Sequence, residues 1–147
     1  MPSGPCLQLD MSSNTDTDIV VESLSLAAEK AGDITPAIYE TYFKRCPESA
    51  AVMSHCDPTT MGKMMEEVYR LMMVSDYSGE EQYLNWEVIN HEQAYNVASH
   101  MYEGLFTAML DTVRETLAEQ WNTSMESAWS GKCHDLQREI VQRFTVN

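Results

Sequence analysis

Apolar residues recur through most of this chain at three- and four-residue spacing, the signature of one helix face. Residues 17–31 place Val20, Leu24, Ala27 and Ala31 on one side, and Gly32 offers a C-terminal stop. "DITPAIYETYFKRCPE" predicts a second helix, with Thr35 as cap, Pro36 in the first turn, and Ile38, Tyr42 and Phe43 on one face. Pro47 forces a corner, after which "PESAAVM" predicts a single helical turn. Asp57 and Pro58 repeat the start signal for a helix running to about residue 74. A connector follows, in which Ser78 and Glu81 have the form of a capping box. The next helix, about 79–93, aligns Leu84, Val88 and His91. A long helix over about 95–119 lines up Val97, Met101, Leu105, Ala108, Met109, Thr112 and Thr116. A second capping box, Thr123 with Glu126, opens the last helix, whose stripe is Met125, Trp129, Cys133, Leu136, Ile140 and Phe144.

No alternating strand pattern interrupts these segments. The expected architecture is all-α, with about six to seven helices in one domain over 17–147. Residues 1–16 are rich in Ser, Asn, Thr and Asp and are expected to form a disordered or loosely draped tail. Helices of unequal length joined by proline corners do not suit an up-down bundle. They suit helices crossing at large angles around a pocket.

Composition narrows the partners. A net charge of −14 and a pI near 4.4 repel nucleic acid and anionic membranes. No apolar run reaches the length of a membrane span. The first residues carry neither a basic stretch nor an apolar one, so a secretory leader is not expected. Cys6, Cys46, Cys56 and Cys133 form no C-x-x-C pair and read as free thiols, which points to a reducing cytoplasm.

One helix face stands out chemically. In "PTTMGKMMEEVYRLMM" Met61, Met64, Met65, Val68 and Met72 share a side. Methionine fills irregular gaps in a core, and it also suits the wall of a pocket that takes an apolar ligand. His91 stands on the face of Leu84 and Val88, so it reads either as an ordinary helix-face histidine or as a metal ligand with an apolar wall. His55, His100 and His134 show no zinc spacing. No G-x-S-x-G elbow supports a serine hydrolase.

Three blocks resemble the globins, in particular bacterial single-domain haemoglobins and the globin domains of flavohaemoglobins. "IYETYFKRCPESAAVM" (38–53) is similar to the family's second helix, its Pro-Glu corner and its short third helix. "NHEQAYNVASHMYEGLF" (90–106) resembles the proximal histidine and the start of the long seventh helix. "MLDTVRETLAEQWNTSMESAWSGK" (109–132) looks like the end of that helix and the opening of the last. The resemblance covers about residues 17–145.

It implies a globin fold around haem b, with His91 as the proximal iron ligand. It also implies Tyr39 as the pocket tyrosine that donates to bound dioxygen, and Tyr102 as the proximal-side tyrosine. Met61, Met64, Met65 and Val68 would line the distal side, and Leu84 and Val88 the proximal side. The chain departs from the family at Met53, where a phenylalanine normally stacks on haem. It also offers no histidine or glutamine at the usual distal position, near Met61 or Met64. The implied partner is a diatomic gas (dioxygen, nitric oxide or carbon monoxide), for binding, sensing or detoxification. Nitric oxide dioxygenase or peroxidase-type activity would need an electron donor, expected to be an external reductase. Surface methionines and tyrosines are material for a homodimer face. The alternative is a haem-free globin-like sensor or interaction domain.

Overall fold

The structure of the chain, a computed structural model, describes residues 4–144, with side chains described from Asp16 onward. It is all-α: seven helices, and no strand among the described residues. They are α1 (Gly4–Ala31), α2 (Thr35–Arg45), α3 (Pro47–Val52), α4 (Pro58–Met72), α5 (Glu81–Tyr95), α6 (Ser99–Leu117) and α7 (Thr123–Val141). Short 3-10 turns lie at Ser78–Glu80 and Ala118–Gln120.

The first helix begins at Gly4, inside the stretch expected to be a loose tail. Ser, Asn, Thr and Asp each cost only a few tenths of a kcal/mol against good helix formers. Extending a helix already formed over 17–31 needs no new nucleus.

Several ends follow the predicted chemistry. Gly32 has φ +74 and stops α1. The Asp57 carboxylate accepts from the Thr60 N–H at 2.8 Å, and Pro58 fills the first position of α4. Other ends differ. Thr35 is the first residue of α2 and Ile34 its N-cap, which has no side-chain cap bond; the Thr35 N–H donates to Asp33 Oδ1 at 3.0 Å. Ser78 makes no box with Glu81, because its N–H and its hydroxyl both donate to Asp76. Asn122, not Thr123, caps α7 by accepting from the Met125 N–H at 2.9 Å. Glu126 is drawn instead to the Trp121 indole N–H, also at 2.9 Å. Asn96 adopts the left-handed conformation, φ 59, and closes α5, so the break between the two helices expected near residues 93–95 falls at residues 96–98.

Two packed units make the frame. α1 lies along α6 and α7, and α2 crosses α6. The Tyr42 ring packs on α6 beside Gly104, where a Cβ would sit 3.4 Å from Tyr42 Cε1, at van der Waals distance. The Tyr42 hydroxyl then donates to the Met101 carbonyl at 2.8 Å. Trp129 is fully buried, and its indole N–H donates to Ser23 Oγ at 2.7 Å; the Ser23 hydroxyl in turn donates to the Val20 carbonyl. Buried Lys132 bridges three elements, donating to Thr17 and to the Val74 carbonyl over the Tyr77 ring. Helix α5 is the exception. It comes close to the turn before it and only sparsely to any other helix, although its Leu84 and Val88 side chains reach the core.

Replacing Trp129 removes the largest fully buried side chain and leaves a cavity between α1 and α7. Trp129→Ala is expected to cost about 3–5 kcal/mol. Urea unfolding checks this, and a loss under about 1 kcal/mol would mean that the α1–α7 seam is not a main support.

Candidate functional site

The stand-off of α5 leaves space. Two adjoining cavities of about 420 and 320 Å³ lie against it. Both fall in the range of small-molecule sites, roughly 300–1,000 Å³. They share Tyr42, Met53, Thr60, Met64, Glu87 and His91 in their walls. The first opens past His55, Cys56 and Trp86. The second runs inward between α4 and α5 to Leu105, Phe106 and Ile140.

Eight of the ten residues singled out from the sequence stand together here. Tyr39, Met53, Met64, Val68, Leu84, Val88, His91 and Tyr102 all line the second cavity. Met61 and Met65 do not. The side of α4 that meets the cavity is Thr60, Lys63, Met64, Glu67, Val68 and Leu71. At 3.6 residues per turn, that side is rotated roughly a quarter-turn from the one carrying Met61, Met65 and Met72. Met65 and Met72 are fully buried in the core, and Met61 packs against it. The methionine face is therefore mostly core, with only its Met64–Val68 edge on the cavity.

His91 has a partner for each ring nitrogen. Its Nδ1 lies 2.8 Å from the Tyr102 hydroxyl, and its Nε2 lies 3.0 Å from Glu87 Oε1. A carboxylate can only accept, so Nε2 carries the proton in the neutral ring and Tyr102 donates to Nδ1. The side chain is 21% exposed and forms part of the wall of both cavities. Its hydrogen bond to Glu87 holds that carboxyl below its ordinary range, against the burial that raises it. Tyr102 is pushed well up by burial.

Tyr39 also has a partner. Its hydroxyl donates to the Met61 carbonyl at 2.9 Å, tying α2 to α4, and burial raises its pKa. Its single proton is thus committed to backbone, and donation to any ligand would require that bond to yield. His55 stands exposed at the first cavity's mouth, its ring stacked on Tyr95 at 5.5 Å. His100 lies away from the cavities and bonds Glu48. The site therefore combines largely apolar walls, one imidazole bonded on both sides, and a mixed polar lining, with Lys63 and Glu67 in the second cavity, His55 and Asp57 in the first and Glu87 in both. It suits a largely apolar ligand, or one carrying a metal that takes an imidazole.

Glu87 was not foreseen from the sequence. It stands four residues before His91, on the same side of α5, and that spacing is the signal that could have found it. Tyr42 and Thr60 gave no comparable sign.

No protein-family model matches the chain, and no curated protein matches it either. Among the described residues, no helix is long and apolar enough to cross a membrane.

The Glu87–His91 bond makes stability depend on pH. The unfolded chain's Glu87 titrates near the ordinary value of 4.5, and the folded one lower. Between those two points the unfolded state binds more protons, so stability rises with pH there. The contribution is fully present above the unfolded value and is lost as pH falls through the folded one. Glu87→Gln is expected to flatten this part of the acid unfolding curve. An unchanged slope in denaturant melts across pH 3–5 would separate Glu87 from acid stability.

Proposed function

We propose that the chain is a globin that holds haem b between α4 and α5 through His91 and binds a diatomic gas there. The observation that supports this most is the cavity whose walls bring His91, Leu84 and Val88 opposite Met64 and Val68, with Tyr39 at one side. These residues fit the group in kind. Most of the second cavity's wall is apolar or aromatic, the His91 imidazole is part of it, and Lys63 stands in its lining beside the carboxylates Glu67 and Glu87. Haem would supply an iron centre for the gas.

The chain's own residues do the rest. For His91 to serve as a ligand through Nε2, its proton moves to Nδ1, and Tyr102 then accepts where it had donated. Glu87 must release Nε2, so this carboxylate opposes binding and lowers affinity. Met53 and Met64 exclude water from the inner cavity. Tyr39 lines the same cavity, and its bond to the Met61 carbonyl sets how readily its hydroxyl turns inward. A released hydroxyl would favour dioxygen; a retained one leaves an apolar surface that favours carbon monoxide or nitric oxide. Dioxygenase or peroxidase turnover would draw electrons from a separate reductase.

A haem-free module is the second reading. The observation that favours it is that both ring nitrogens of His91 and the Tyr39 hydroxyl already have protein partners. Such a cavity can take an apolar ligand without a metal.

Titration with hemin separates the two. The haem reading expects one equivalent bound with a Soret band, weakened at least tenfold by His91→Ala and strengthened by Glu87→Gln. Protein that stays colourless with excess hemin, yet binds an apolar fluorescent probe, would favour the haem-free module. In the haem-bound protein Tyr39→Phe is expected to speed dioxygen release, and an unchanged rate would remove this hydroxyl from ligand control.

A further inference from the structure

A second cluster lies outside the cavities. Cys46 is the hinge between α2 and α3, Glu48 stands in the first turn of α3, and His100 stands in the first turn of α6. Their ligand atoms all lie within 4.8 Å of one another. Cys46 Sγ is 3.5 Å from Glu48 Oε1, and the same oxygen is 2.8 Å from His100 Nε2. We propose that Cys46, Glu48 and His100 form a zinc site that staples the α2–α3 corner to the start of α6.

The distances suit this metal. With Zn–S near 2.3 Å and Zn–N and Zn–O near 2.0–2.1 Å, tetrahedral geometry separates donor atoms by roughly 3.4–3.6 Å. The sulfur–carboxylate edge already has that length. The carboxylate–imidazole edge is shorter because a proton now bridges it, and exchanging that proton for a metal opens it by a few tenths of an ångström. The imidazole then closes toward the sulfur.

Donor type selects the ion. A thiolate with an imidazole suits zinc and is poorly suited to magnesium, calcium or manganese. Binding removes the Cys46 thiol proton to solvent, which makes affinity rise with pH. Ser49 Oγ, 3.0 Å from the sulfur, can donate to the resulting thiolate. Cys46 is buried, while the Glu48 and His100 side chains are 56% and 57% exposed. The sulfur thus forms a floor, the two exposed side chains form the rim, and water can take the fourth position.

The other thiols differ. Cys133 donates to the Phe106 carbonyl, and burial pushes it up to about 12. The Cys56 Sγ lies 3.8 Å from Nε2 of its neighbour His55. Ser49 and Met101, one residue from Glu48 and His100 respectively, line the first cavity, so the staple would stiffen that wall.

The test uses the full chain with Zn²⁺ alone, by competition against a chromophoric chelator and by zinc-edge X-ray absorption. The expected result is one equivalent with a single sulfur neighbour near 2.3 Å and nitrogen or oxygen near 2.0–2.1 Å. His100→Ala and Glu48→Gln should weaken binding at least tenfold, and Cys46→Ser should also remove the sulfur neighbour. Cys56→Ser and His91→Ala should leave affinity unchanged. Zinc without a sulfur neighbour, no binding, wild-type affinity in His100→Ala, or loss in Cys56→Ser would each overturn the proposal. If Cys46→Ser does not fold, the exposed His100 variant still decides.

Discussion

An imidazole taken out of water needs a partner for each ring nitrogen, and His91 has one on either side. Tyr102 reaches it from α6, and Glu87 from one turn back on α5. These two bonds orient the ring at the junction of both cavities. The Tyr102 bond also ties α5, which otherwise stands off from the bundle, to α6. Without them the histidine would be free to turn outward and α5 would lose a polar tie to the frame. The two bonds therefore fix the imidazole of the inner cavity, and the Tyr102 bond is a structural link as well.

The rest of the fold makes that arrangement affordable in free energy. The seam of α1, α6 and α7 buries Trp129, Leu136 and Ile140, so the half holding α5 need not close completely. Packing and open volume meet on α6 and α7, whose Phe106 and Ile140 are buried in the core and also line the inner end of the second cavity. Met64 and Val68 supply flexible and branched surfaces toward the space, while Met65 and Met72 fill the core behind them. A single helix serves both sides because its apolar arc is wider than either task needs.

Much of this was legible in advance. The number of helices, the proline corners, the Gly32 stop and the Asp57 cap all depend on contacts within a few residues, where sequence spacing is spatial spacing. The errors were also local, but competitive. Thr35, Ser78 and Thr123 are each a plausible cap, yet Thr35 and Ser78 donate to a neighbouring Asp, and Asn122 caps α7 in place of Thr123. His91, Leu84 and Val88 were legible as one face, since helical geometry alone relates them. The α4 wall was half legible: the stripe was seen, but its rotation against α5 was not.

What the sequence by itself determined is the set of helices and which side of each is apolar, because both follow from repeats of three and four residues. Only the tertiary structure decided that α5 stands away from its neighbours, that Met61 and Met65 turn from the cavity, and that Tyr102 meets His91. It alone brought Glu48 to His100, 52 positions along the chain. The physical reason is that such meetings depend on how rigid helices cross. A crossing angle is set by the summed packing of many side chains, not by the spacing of any few.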